Sequence, residues 1–197
     1  MAETTQFTIG ADATCTDGVC GEVSCVVVDV AARTVTHLAV EPKHLQGRAR
    51  LVPLDLVDPT TGEIRLRCTR AEFDALDLAE ETEFFPGSGP GVSAAAALGT
   101  VVLTVTHDTV PVGEVTVHRG VHVHATNGEI GRVHALVIDS RDHQVASVLL
   151  QEGHLWGRKE VAIPIAAVAS FDDGIRLNIT KQEVEDLPPV DVNRPNG

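Results

Sequence analysis

Two long apolar runs, rich in Val and located at residues 20–29 and 130–139, dominate the hydrophobic pattern of the chain. A run of this length that is rich in β-branched residues and bounded by turn residues predicts a strand buried on both faces. Asp29 and Asp139 end the two runs. We expect their carboxylates to accept hydrogen bonds from the amides of the turns that follow.

Shorter segments around each run predict four further strands in each half of the chain. They cover residues 7–15, 34–41, 48–54 and 63–68 in the first half, and 117–125, 144–151, 158–165 and 174–179 in the second. An Asp-Gly pair at 17–18 and an Asn-Gly pair at 127–128 predict a tight hairpin before each apolar run. Pro53 and Pro164 lack an amide donor, so we expect their strands to lie at a sheet edge or to end there.

The two halves are copies of each other, which indicates an internal duplication. A shift of 110 positions superimposes Gly18 on Gly128 and His44 on His154, and one inserted residue later a shift of 111 superimposes Pro53 on Pro164. Each copy ends in a capping box, Thr-x-x-Glu, which predicts a short helix closing the unit. Five short strands and one short helix per copy predict a mainly β chain of two small barrels.

We expect four regions along the chain. Residues 1–78 form the first barrel, and residues 115–188 form the second. Residues 79–114 form an acidic, Gly/Pro-rich connector with one further strand at 101–106, and residues 189–197 form a disordered tail. Because a unit of roughly 75 residues has only a marginal core of its own, we expect the two barrels to pack together as an intramolecular pseudo-dimer.

The charge of the chain argues against nucleic-acid binding. The formal net charge is −13, with 28 acidic and 15 basic residues, and no Lys/Arg cluster provides the basic face that phosphates require. The first residues lack the pattern of a secretory signal, and the apolar run at 94–105 is shorter than the roughly 20 residues of a spanning helix. We therefore expect a cytoplasmic protein with no membrane insertion.

The second copy resembles the PRC-barrel family. The residues that carry this resemblance are Gly128-Glu129-Ile130-Gly131-Arg132-Val133, Val137-Ile138-Asp139 and Val161-Ala162-Ile163-Pro164-Ile165. The family is named after the cytoplasmic domain of the photosynthetic reaction centre H subunit and includes the C-terminal domain of a ribosome-maturation factor. The resemblance, which is weaker in the first copy, implies two tandem PRC-type barrels that bind proteins and catalyse nothing.

The loop between the predicted third and fourth strands of the second copy has the composition of a protein-binding anchor. It holds the only Trp of the chain, Trp156, together with His154, Arg158 and Lys159. Trp and Arg contribute a large share of the binding energy at interfaces. His44 and Arg48 repeat in the first copy without the Trp, which favours a structural role for the His/Arg pair. The alternative is that Trp156 covers a barrel end or the contact between the barrels.

Histidine and cysteine raise the question of a metal site. His122 and His124 are two residues apart on a predicted strand, so both project from one face, but neither has a counterpart in the first copy. Solvated histidines are therefore the preferred interpretation. The four cysteines all lie in the first copy, at positions 15, 20, 25 and 68, and their counterparts are apolar. We expect small buried thiols rather than a redox or zinc site, because no Cys-x-x-Cys is present and strand residues five apart face opposite ways.

No catalytic motif stands out in the sequence: it has no Gly-x-Ser-x-Gly elbow and no phosphate-binding loop. The leading hypothesis is a non-enzymatic adaptor without a cofactor, which binds a protein partner or a second copy of itself. One alternative is a sensor that binds a metal or small ligand at His122 and His124. Another, from family analogy alone, is a ribosome-assembly factor.

Overall fold

The computed structural model describes residues 4–43, 48–58, 63–86, 102–108, 112–152, 161–171 and 174–187, and only the backbone is considered at 80–86, 102–108 and 151–152. The chain is mainly β, as predicted. The strands of the first half are β1 (Thr4–Thr8), β2 (Asp12–Cys15), β3 (Gly18–Asp29), β4 (Thr34–Pro42), β5 (Arg50–Pro53), β6 (Val57–Asp58), β7 (Ile64–Leu66) and β8 (Glu80–Pro86).

The second half repeats this order after a second connector strand. Its strands are β9 (Val102–Asp108), β10 (Glu114–His118), β11 (His122–Ala125), β12 (Gly128–Asp139), β13 (Val145–Glu152), β14 (Val161–Pro164), β15 (Val168–Ser170) and β16 (Ile175–Leu177). The helices are α1 (Arg70–Asp74) and α2 (Lys181–Glu185), and 3-10 turns lie at Leu54–Leu56 and Ile165–Ala167. Among the described residues, no helix has the length and apolar character that crossing a bilayer requires.

The two copies form two seven-stranded sheets, each with six strands of one copy in the same order and a seventh strand from the other copy. The first sheet runs β5-β4-β3-β2-β7-β6 and the second runs β14-β13-β12-β11-β16-β15. The long buried runs form the central strands β3 and β12. Each is long enough to pair along one edge with two strands in succession, β3 with β2 and β10 and β12 with β11 and β1. Strands β5 and β14 lie at the ends of the two orders, and Pro53 and Pro164 close them, which confirms the edge prediction.

The first strand of each copy belongs to the sheet of the other copy. Strand β1 pairs antiparallel with β12, from Thr4 opposite Asp139 to Thr8 opposite Ala135. Strand β10 pairs in the same way with β3, from Glu114 opposite Asp29 to His118 opposite Cys25. The pairing therefore crosses the domain limits expected from the sequence, and the segment predicted as one strand at 7–15 is two strands that belong to different sheets.

The break between these two strands lies at a glycine in both copies. Gly10 has a φ of 94° and Gly120 a φ of 84°, values that other residues rarely adopt. This conformation turns the chain out of one sheet and into the other within three residues.

The turns after the central strands join the two copies reciprocally. The Val35 amide donates to the His143 carbonyl and the Val145 amide donates to the Arg33 carbonyl, each at 2.9 Å. Arg33 and His143 stand at equivalent positions of the duplication, and both have positive φ angles, of 56° and 58°. The two turns thus have the same conformation and contact each other symmetrically.

One hydrophobic core cluster runs through both copies. It includes Phe7 on β1, Val26 and Val28 on β3, and Leu136 and Ile138 on β12, each at most 2% exposed. The opposite face of β3 carries Cys25 and Val27, which are buried in a smaller cluster with Ala39, Leu51 and Ala79. The central strand is therefore buried on both faces, as its apolar run predicts.

The predicted turn and helix signals are present in both copies. Asp29 accepts a hydrogen bond from the Ala32 amide and Asp139 accepts one from the Arg141 amide, each at 2.9 Å. Thr69 and Thr180 begin α1 and α2 with complete capping boxes. The structure adds one contact to these: the hairpin residues Asp17 and Asn127 each accept from the first amide of the nearby helix, at 3.0 and 2.9 Å. Each hairpin thereby holds the helix that closes its barrel.

Candidate functional site

Most of the residues predicted to bind a protein lie outside the described part of the chain. This applies to His154, Trp156, Arg158 and Lys159, and to His44 in the first copy. Arg48 is described and is half-buried just before β5. A protein-binding role for these residues therefore stays a prediction from the sequence.

The two histidines of β11 share one face, as predicted. The rings of His122 and His124 stack with centroids 6.3 Å apart. His122 Nδ1 lies 2.6 Å from the Glu129 carboxylate on β12, and this hydrogen bond holds the pKa of Glu129 below its usual value. Within the described residues, no group of three His, Cys, Asp or Glu side chains has the geometry to hold a metal ion. The contacts seen here thus form a surface hydrogen bond between His122 and Glu129, with the His124 ring stacked beside it.

The cysteines are free and buried, which confirms the expectation of small buried thiols. The geometric argument that accompanied it was wrong for Cys15 and Cys20, because they lie on the two strands of a hairpin, β2 and β3, rather than on one strand. Cys15 contacts both Cys20 and Cys68, and burial followed by these contacts raises its pKa well above the usual range. Burial likewise raises the pKa of Cys68. The raised pKa values favour the protonated thiol at Cys15 and Cys68, and with Cys20 they are part of the hydrophobic core.

A cleft of about 160 Å³ opens between the two barrels, and we call it the inter-barrel cleft. It is lined by Thr5, Phe7, Leu54, Asp55, Val57, Arg67, Ile138, Ser140 and His143. The exchanged strand β1 forms one wall, the 3-10 turn after β5 forms another, and the end of β12 with its turn forms the third. The cleft exists because β1 crosses to the second sheet and brings residues of both copies together.

The floor of the cleft is apolar and its rim is polar. Phe7 and Ile138 are each 2% exposed and form part of the shared core beneath it. At the rim, Thr5 Oγ1 and Ser140 Oγ share a hydrogen bond of 2.8 Å. Arg67 is exposed and its Nη2 lies 4.0 Å from Asp58 Oδ1. Polar groups that converge above an apolar floor are typical of a ligand site.

The duplication supplies a second, equivalent location for comparison. There Val115, Ala166 and Val30 occupy the positions of Thr5, Asp55 and Ser140. Arg33 occupies the position of His143, and its guanidinium donates to the carbonyls of Ile165 and Val168 at 3.4 and 3.5 Å. The two locations have the same backbone frame and different chemistry.

Sequence reasoning missed the inter-barrel cleft, because its lining comes from four separate segments of both copies. A signal was nevertheless present in the aligned copies. Thr5, Asp55 and Ser140 are polar where the other copy is apolar, while the strands around them keep their apolar pattern.

A comparison with protein families agrees with this fold. The sequence model of the PRC-barrel domain matches residues 120–184. The match begins after β10 and covers β11 to β16 and most of α2, so both exchanged strands lie outside it. No curated protein shows significant similarity to the chain. The match therefore covers the part of the second copy whose residues resemble the PRC-barrel family, residues 120–184.

Proposed function

We propose that the chain is a non-enzymatic adaptor in which two PRC-type barrels, joined by exchanged strands, bind a protein partner at the inter-barrel cleft. The observation that carries this proposal is the difference between the two equivalent locations. A cleft that served only as packing could be covered by an Arg side chain, as Arg33 covers the other location. The polar residues gathered at the cleft instead favour recognition of another molecule.

The size of the cleft favours a side chain of a protein partner over a drug-sized ligand. Its 160 Å³ is below the roughly 300–1,000 Å³ of pockets that enclose drug-sized ligands. A cavity of this size accommodates one side chain that projects from a partner surface. Such an anchor in a central pocket is the usual arrangement at protein interfaces. A second copy of the chain is the alternative partner, and a dimer in solution would identify it.

The location we propose is the cytoplasm. Four free cysteines, all buried, support this, because thiols persist unpaired in a reducing compartment. The Trp156 segment is our proposal for a second contact with the partner, since it has the composition of an interface anchor.

The proposal is tested by affinity capture from native lysate with three variants used alongside the natural chain. His143→Arg places an Arg at the position equivalent to Arg33 and should cover the cleft. Trp156→Ala tests the second contact, and Asp74→Asn, an exposed residue of α1, is the matched control. The captured protein is then purified and its binding measured directly.

The adaptor role predicts a partner that Asp74→Asn retains and that His143→Arg loses while the melting temperature is unchanged or higher. A partner bound equally by the natural chain and by His143→Arg would show that the binding surface lies outside the cleft. Turnover of a substrate by the pure protein would refute the non-enzymatic role.

A further inference from the structure

The duplication indicates which chemical group the inter-barrel cleft accepts. At the equivalent location, the occupant is the guanidinium of Arg33, which donates to the carbonyls of Ile165 and Val168. In the cleft, Leu54 and Val57 occupy the positions of these two residues, at the start and just past the end of the same 3-10 turn. The backbone frame that holds a guanidinium in one copy is therefore present in the other.

His143 occupies the position that corresponds to Arg33, the residue that supplies the guanidinium in the other copy. Its backbone has almost the same φ as that of Arg33, 58° against 56°, but the imidazole is shorter than an arginine side chain. His143 is half-buried at the rim of the cleft and leaves the space above Leu54 and Val57 open. A guanidinium of another molecule could therefore occupy the position that the Arg33 guanidinium occupies in the other copy.

The charges around the cleft favour a cation. Asp55 replaces Ala166 of the other location and adds a carboxylate to the rim. Among the described residues, Asp55 has no hydrogen bond or ion pair, whereas the charge of Arg67 is opposed by Asp58 at 4.0 Å. An anion would meet Asp55 and the net charge of −13, both of which oppose it.

We propose that the inter-barrel cleft binds a guanidinium group, through Asp55 and the carbonyls at Leu54 and Val57. This deepens the proposed function and rests on it, because the expected source is an arginine side chain of the protein partner. A free guanidinium compound offers the same chemistry and is the second source. The planar group with its several donors matches a carboxylate together with two carbonyls better than an ammonium does.

The test is isothermal titration of the full chain with ethylguanidinium, with an arginine-containing peptide blocked at both ends, and with the same peptide carrying lysine. Propylammonium and acetate are the small-molecule controls. We expect both guanidinium probes to bind, with the arginine peptide at least as tight as ethylguanidinium, and neither acetate nor propylammonium to compete. A preference for free ethylguanidinium over the peptide would identify a small molecule as the source.

Three variants locate the site. His143→Arg should abolish binding, because its own guanidinium would occupy the position, and the φ shared with Arg33 shows that the backbone accepts Arg. Asp55→Asn should weaken binding by about tenfold, the usual loss for a hydrogen bond to a charged group. Asp74→Asn removes the same charge from α1 and should leave binding unchanged.

A fourth variant transfers the site. Arg33→His combined with Ala166→Asp reproduces the rim of the cleft at the equivalent location, and it should bind a second guanidinium per chain. Binding that survives His143→Arg, tighter binding of acetate, or no binding of ethylguanidinium by the folded protein would overturn the inference. Should His143→Arg lose the captured partner while ethylguanidinium does not bind, the adaptor role stands and the guanidinium inference fails. If guanidinium binds but no partner is captured, the guanidinium inference stands and the adaptor role fails.

Discussion

The exchange of strands between the barrels predicts which part of the molecule a change in β1 will damage. Phe7 belongs to the first copy by sequence, but it lies opposite Leu136 of the second sheet and is 2% exposed in the shared core. Replacing a buried Phe with Ala removes most of the side chain and leaves a cavity, which costs about 3–5 kcal/mol. For a chain of this length, that corresponds to a loss of roughly 6–20 °C in melting temperature.

The location of the damage is the stronger test. Phe7→Ala should accelerate hydrogen exchange at residues 135–139 of β12, which pair with β1, more than at residues 25–29 of β3. The equivalent residue of β10, Val117, pairs with Val26 of β3 and is 3% exposed. Val117→Ala should therefore show the opposite pattern of exchange.

A double-mutant cycle isolates the contact itself. Phe7→Ala and Leu136→Ala should be coupled by about 0.5–3 kcal/mol, the range for residues in contact. The assay is denaturant unfolding of the full chain, with hydrogen exchange read by mass spectrometry. Faster exchange at residues 25–29 with residues 135–139 unchanged, or a loss of stability below about 1 kcal/mol, would refute the assignment of β1 to the second sheet.

Three further predictions concern the turns and the core. Thr180→Ala should cost about 1 kcal/mol of unfolding free energy by removing the cap of α2. The backbone and side chain of Thr180 hold the pKa of Glu183 below its usual 4.5, so this stabilisation is present above that pH and is lost as the pH falls through the lowered pKa. The variant loses the hydroxyl contact with the Glu183 carboxylate, so the difference in melting temperature between the natural chain and Thr180→Ala should narrow in acid, and a constant difference would contradict this contribution. Gly21→Ala should destabilise the chain by about 1–3 kcal/mol or more, because the added Cβ would lie 2.4 Å from the Glu41 carbonyl oxygen; unchanged denaturant unfolding would contradict it. The four cysteines are buried, and burial raises the pKa of Cys15, so a thiol reagent should label all four only after unfolding. Rapid labelling of the native protein would show that the core of the first barrel opens readily.

Features that depend on local sequence could be predicted from the residues alone. The apolar runs of β3 and β12 predict strands that are buried on both faces, because a strand with one solvated face alternates apolar and polar residues. The capping boxes at Thr69 and Thr180 are complete within four residues, so their geometry follows from the sequence. The duplication strengthened these predictions, because each signal appears twice.

The partner of each strand could not be predicted in the same way. Because the two copies share one pattern, β1 fits beside β12 as well as β10 would, and no local signal distinguishes the two sheets. Gly10 and Gly120 mark where the chain leaves the first strand, yet a glycine with positive φ does not specify which sheet the strand joins. The inter-barrel cleft depends on this strand exchange, so its lining could not be predicted from the sequence either.

The strand exchange also determines when the protein can finish folding during its synthesis on the ribosome. Asp139 follows its partner Thr4 by 135 positions, so at about 5–20 residues per second β1 waits roughly 7–27 s for a place in a sheet. Strand β3 lacks its neighbour β10 until residue 118 has emerged. The first barrel is therefore not an independent early product of translation: its sheet is complete only after β10 has been made, and the sheet that holds β1 only after β16.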